Sequence, residues 1–292
     1  MTGVRWQVVG MLGAALGAGA VLAAGGCGPW FARAGAGAPE AQAPGGGMRS
    51  LLADPAGDPS SNTIVVVQMQ FDVLRVELPA DQTHHSRKAW NYVNELHGDP
   101  TQTALLRRNG FRMGTASADS WPALRAMFEA CEARVLRVPH VVQRGLPLTL
   151  QLDSIEEDQP IFLLTADNRM VGRTLERGEK YLHLDYALEV DGPQTVTIQV
   201  TPEIRLLGAE KYGRDEQGNV RRGRQYDGLA FRELSRTLRL AAGEFLVIGP
   251  DTSSGTGLTV GRCFLTHERE GRRYETVLCI TPQPFRTEAA QQ

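Results

Sequence analysis

Four cysteines and six histidines are the side chains of this sequence best suited to cross-linking, metal ligation or nucleophilic attack. Cys263 and Cys279 lie symmetrically about Gly271, so a hairpin turning at Glu270-Gly271-Arg272 sets them opposite each other. In a non-hydrogen-bonded antiparallel pair the Cα atoms approach to about 4.5 Å, within reach of a disulfide. The spacing therefore predicts a Cys263–Cys279 disulfide, with two buried apolar thiols as the alternative. A one-residue slip in register would send the two side chains to opposite faces. His84 and His85 are neighbours in a polar stretch and share no helical face. His97, His140, His183 and His267 are scattered, and no Cys/His pair has the close spacing of a metal site. No metal or other cofactor is expected. The chain has no Gly-x-Ser-x-Gly, and no helix signal follows Gly255-Thr256-Gly257 to make it a phosphate cradle. Glu156-Glu157-Asp158 offers carboxylates but reads as a polar loop. Asp215 to Asn219 begins like a calcium loop and lacks the bidentate Glu that closes one. Arg221-Arg222-Gly223-Arg224 is balanced by nearby acids and reads as a solvated loop. No catalytic constellation emerges, so a non-enzymatic role is expected.

The remaining cysteine with chemical promise is Cys27. Arg5 gives a basic start, an uncharged run from Val8 to Gly26 follows, and small residues lead out of it. That order describes an export signal. The exit Leu22-Ala23-Ala24-Gly25-Gly26-Cys27 resembles the lipobox of bacterial lipoproteins, with Ala24 standing where a large aliphatic residue is usual. The resemblance implies cleavage before Cys27 and its acylation, palmitate included. Cleavage without lipid and an uncleaved anchor are the alternatives. Residues 1–27 are thus expected to be a lipoprotein signal peptide. Residues 28–62 are rich in Gly, Ala and Pro and hold few large apolar side chains, so burial cannot offset their ordering entropy. They are expected to be a disordered tether.

The elements behind the tether point to an α+β fold. Thr63 to Leu78 shows period-2 apolar spacing and reads as a strand ended by Pro79. Ser86 to His97 reads as a helix, with Trp90, Val93 and Leu96 on one face. Thr101 to Arg108 reads as a second helix stopped at Asn109-Gly110, and Phe111 to Thr115 as a strand. Asp119 or Ser120 caps a third helix, with Pro122 in its first turn. Residues 63–135 are therefore expected to form a small helix-and-sheet unit.

From 136 to 286 strand signals dominate and predict a mainly antiparallel β domain, ahead of a disordered tail at 287–292. Strands are expected at 135–142, 146–152, 161–165, 170–175, 181–190, 195–200, 234–240 and 244–248. The last hairpin is expected from 258–268 and 273–281. Arg205 to Tyr226 is polar and reads as a long solvated excursion. Tyr181–Val190, the turn Asp191-Gly192, Thr195–Val200 and the exit Thr201-Pro202-Glu203-Ile204 resemble the β core of bacterial secretins. Arg236 to Gly249, with a Gly-Glu turn before an aliphatic strand, resembles the hairpin that follows there.

Thirty-one basic residues stand against 33 acidic ones, a net charge of -2. That gives no field to gather nucleic acid. Aromatics at 7% leave no platform for stacked bases. The expectation is a lipoprotein of the cell envelope, anchored in the cell membrane or outer membrane and facing the periplasm. It would present a β-rich domain to an envelope protein partner such as a secretion apparatus. A ligand-binding or hydrolytic lipoprotein whose site assembles only in three dimensions is the alternative, and self-assembly into a ring is a third reading.

Overall fold

The alternation that marks Thr63–Pro79 (β1) as a strand serves two cores rather than one. Met69, Phe71 and Val73 enter one apolar cluster; Leu74, Val76 and Leu78 enter another. A strand buried on both faces must be covered on both faces, and β1 is. The computed structural model describes residues 63–82, 87–96, 98–143, 145–189, 195–214, 220–251 and 258–290, all within one unit spanning 42–292.

β1 lies in a six-stranded antiparallel sheet with β2 (Phe111–Ser117), β3 (Arg134–Val142), β11 (Glu244–Pro250), β12 (Thr266–Arg269) and β13 (Arg272–Ala290), in the order β2-β11-β13-β1-β3 with β12 on β13. A second sheet has the order β10-β8-β7-β4, built from β4 (Leu148–Ile155), β7 (Gly178–Glu189), β8 (Thr195–Arg214) and β10 (Arg236–Leu240), with β9 (Val220–Ala230) also on β8. β5 (Gln159–Leu164) and β6 (Met170–Leu175) pair alone. The helices are α1 (Pro100–Arg108), α2 (Trp121–Ala130) and α3 (Val260–Leu265). The fold is α+β and mainly antiparallel β, as expected.

The main core lies between the sheets. Phe71, Phe111, Met113, Leu246, Ile248 and Ile280 of the first sheet meet Leu150, Leu182, Leu184, Ile198, Val200 and Leu240 of the second. The opposite face of the first sheet carries Val76, Phe245, Val247 and Cys279 against Trp121, Leu124 and Phe128 of α2. Double coverage explains why Phe245–Ile248 and Val277–Ile280 read as unbroken apolar runs. The second sheet is covered on one face only, so β7 alternates cleanly between buried Leu182 and Leu184 and the polar His183 and Asp185.

Asp99 starts α1: its Oδ1 accepts the Thr101 N–H at 2.8 Å, and Pro100 fills the first helical position. Asp99→Ala should cost about 1 kcal/mol, the usual value of such a cap. The check is a lowered urea midpoint with unchanged slope.

The structure corrects several expectations. There is no boundary at 135/136: β1 and β2 share a sheet with β11 and β13, from the far end of the chain. The tail expected from 287 instead continues β13, with Thr63 opposite Ala290. The helix expected over 86–97 is present at 87–89 and ends early, in a 3-10 turn at Trp90–Tyr92. Val93 is already extended, and Asn94 exchanges backbone hydrogen bonds with Thr115 at 2.7 and 3.0 Å. Pairing with β2 ends the helix. The polar excursion over 205–226 is strand: β8 runs on to Arg214 and β9 returns beside it. Backbone ladders form whatever the side-chain polarity, and composition alone does not report them. The strand expected from Leu258 is α3 up to Leu265. Gly261 explains the close seat of that helix. A Cβ there would lie 2.2 Å from the Gly110 carbonyl carbon, and the Gly261 N–H donates to Asn109 O at 2.7 Å. The signal peptide expected at 1–27 and the tether expected at 28–62 lie outside the described residues.

Candidate functional site

The two cysteines expected to pair do not meet. The hairpin turns on two residues, Glu270 and Gly271, with φ of 54° and 73°. Arg269 therefore opposes Arg272, and the ladder stops at Thr266–Glu275, where the chain leaves for α3. Cys263 sits in that helix, while Cys279 lies in β13 between Leu74 and Val247. Both are free thiols, as is Cys131. Burial pushes the Cys279 thiol up to about 12, and burial raises Cys263 and Cys131 as well. Cys279 should be silent to Ellman's reagent at pH 8 in native protein and react once unfolded, with prior reduction leaving the unfolded count unchanged.

Cys27, His84, His85, His97, Gly255-Thr256-Gly257 and Asp215 to Asn219 lie outside the described residues. Arg221 to Arg224 belong to β9. Glu156 and Glu157 rim an open cavity of about 460 Å³ at the ends of β4 and β7, with Arg177 and Glu179. Among the described residues no group of three or more His, Cys, Asp or Glu could hold a metal ion, and no helix is long and apolar enough to cross a membrane.

Two histidines do enter polar clusters. On the open face of the second sheet, adjacent strands bring Thr149, His183 and Glu203 together. Thr149 Oγ1 is 3.2 Å from His183 Nδ1, and His183 Nε2 contacts the Glu203 carboxylate. Hydroxyl, imidazole and carboxylate stand in the order that activates a nucleophile. Arg205 changes that reading. Its Nε donates to Glu203 at 3.1 Å, Nη2 lies 3.3 Å from His183 Nε2, and its guanidinium stacks on Tyr181 at 4.4 Å. The group is an interlocked cross-strand ladder that runs on to the rim of the first cavity, where Tyr181 Oη donates to the Glu179 carboxylate.

The second cluster closes one end of the space between the sheets. Glu77 is shared by Arg75 at 3.3 Å, Arg269 at 3.1 Å, Arg134 at 3.8 Å and His267 Nε2 at 3.8 Å. His267 stacks on Tyr274 with centroids 5.6 Å apart, and Arg75 Nη1 donates to Leu152 O of the second sheet at 2.8 Å. Burial lowers the His267 pKa, with Glu77 opposing the shift. This cluster ties β1, β3, β4 and β12 together.

Two surfaces remain accessible. β3 is the edge of its sheet, and Val135, Leu136, Val138 and Val141 are 46%, 48%, 37% and 62% exposed. Pro139 lacks an N–H, and Arg137 is held at its guanidinium Nε by Asp72 at 2.8 and 2.9 Å. The other surface is a cavity of about 300 Å³ beside β5 and β6. Spacing flagged neither. β3 reads as an ordinary buried strand, and the cavity draws on three separated segments.

Comparison with protein-family models, with curated proteins and with solved structures finds no match for this chain.

Proposed function

We propose that this chain is a non-enzymatic lipoprotein of the cell envelope whose β-rich domain docks a protein partner along β3. The apolar edge strand is the observation that carries the reading. Four large aliphatic side chains stand exposed on nine residues, on both faces of a strand with one neighbour. Exposed apolar area of this kind marks interaction surfaces, and unpaired strand edges accept extended partners. Pro139 blunts the backbone edge, so side-chain contacts carry most of the association. The lipobox resemblance at Cys27 supports membrane attachment, and the tether at 28–62 supplies reach. The secretin-like motifs at 181–204 and 236–249 favour a partner from a secretion or envelope assembly.

The test has two arms on protein purified from its own membranes. Mass spectrometry of the N-terminal peptide should find acylated Cys27 as the first residue. A photo-reactive residue at position 136 or 141 should capture one defined envelope protein, and Leu136→Asp with Val141→Asp should abolish capture by a probe at 138. A free starting methionine, or equal labelling from positions 136 and 185, would remove the proposal.

A further inference from the structure

We propose that the cavity beside β5 and β6 is a binding site for a small amphiphile: a medium-chain carboxylate whose tail lies in the cavity and whose head meets Arg108. The volume of about 300 Å³ is at the lower end of the range for small-molecule sites. Phe162 and Leu164 of β5, Met170 of β6 and Leu258 supply an apolar wall. Met170 and Leu258 remain 66% and 44% exposed at its mouth, apolar surface that an occupant would cover.

The polar groups at the cavity decide the head. Asn109 is committed to structure. Its Oδ1 accepts the Leu164 N–H at 2.8 Å, and its Nδ2 donates to Leu164 O at 2.8 Å and Leu105 O at 3.0 Å. That side chain acts as a strand edge for β5 and has no donor left for an anionic ligand. Arg108 differs. Its Nη1 donates to the neutral Asn168 Oδ1 at 2.6 Å, and no carboxylate pairs with it among the described residues. The next residue back, Arg107, is held by Glu95, and Arg112, Arg137 and Arg269 each hold a carboxylate too. A guanidinium fork with open donors at the mouth of an apolar cavity suits a carboxylate. Size restricts the tail, and the lone cation restricts the head to one anionic group. The site is separate from β3, so it stands or falls apart from the docking role.

The test uses the full chain carrying Cys27→Ser, purified without detergent, with decanoate and uncharged decanol as probes in calorimetric titration. Decanoate should bind saturably at one site and more tightly than decanol. Arg108→Gln should weaken decanoate about tenfold, the scale of one charge-assisted hydrogen bond, and leave decanol unchanged. Leu258→Glu changes an exposed residue and places an acid at the mouth; it should abolish decanoate binding. Circular dichroism confirms that both variants fold. Absence of saturable binding overturns the site. Equal binding by wild type and both variants reports partition elsewhere and overturns it too. Equal affinity for decanoate and decanol overturns the assigned head group.

Discussion

Glu95→Ala is expected to remove about 3 kcal/mol of stability, read as a large fall in urea midpoint at neutral pH. Glu95 is 6% exposed and lies just after the short pairing of Asn94 with β2. Arg107 from α1 and Arg112 from β2 both grip its carboxylate, with Nε atoms at 3.4 and 3.0 Å from Oε1. Arg112 also stacks on Trp90 at 4.3 Å. Arg236 of β10 fastens the same loop from inside, donating to Glu95 O at 2.7 Å and Thr103 Oγ1 at 2.8 Å. Removing the acid leaves Arg112 without its counter-charge and takes away the carboxylate whose field favours the charged, buried Arg236. Breaking a buried pair from one side costs about 3–5 kcal/mol. The lower figure applies because Arg107 is half in water, where screening weakens its share.

The pH dependence follows. Burial by itself raises the Glu95 pKa, but hydrogen bonds from Arg112 and Arg107 outweigh it and hold the carboxyl below its usual 4.5. The unfolded chain therefore takes up the proton first as pH falls. The stabilisation is complete above about pH 4.5 and is lost as pH drops through the folded value. The gap between wild type and Glu95→Gln should be widest at neutral pH and close on acidification. A constant gap from pH 7 to pH 3 would contradict the assignment.

Phe264→Ala should cost about 4 kcal/mol, within the range for truncating a buried aromatic. Phe264 is 2% exposed and projects from α3 into the main core. Phe111 and Phe231 both meet it edge-on, each with centroids 5.9 Å apart, at 60° and 85°. Those rings come from β2 and from the residue that follows β9, so the cavity left behind borders both sheets. Phe111 is bound in the β2–β11 ladder and the Phe231 N–H donates to Pro202 O at 2.9 Å, so neither backbone collapses into it. Phe264→Leu should recover more than half of the loss. A cost under 1 kcal/mol, by thermal or urea unfolding, would mean that the three rings do not pack as described.

Legibility in the sequence followed coverage and locality. β7 and the first part of β8 were plain because one face is wet, giving strict alternation closed by a turn. β6 was found at both ends, at Met170 and Leu175, because Asp167-Asn168 marks the turn before it. α3 was not legible: Val260 to Leu265 is a six-residue apolar run, and at that length helix and strand look alike. Only the backbone approach of Gly261 to Gly110 selects the helix, and those residues are far apart in the chain. The Glu95 cluster was illegible for the same reason, since residues 95, 107, 112 and 236 belong to a loop, a helix and two sheets. The disulfide expectation erred by one residue. A two-residue turn at Glu270-Gly271 would put 263 opposite 278 rather than 279, even if the ladder had continued. The open site beside β5 left no trace in spacing, because its cation is marked by the absence of an acid partner.

β13 has its own consequence for how the molecule comes into being. It bonds to β1, β11 and β12, so the interior of the first sheet is supplied by residues 272–290, far along the chain from β1. Until it emerges, β1 has β3 alone beside it and the two cores share no common wall. Closing that sheet joins residues more than two hundred positions apart, which is slow. A growing chain therefore leaves that sheet open until residues 272–290 have been made. Molecules cut short before Arg272 would lose the inner strand and be cleared or clump instead of surviving as a smaller domain.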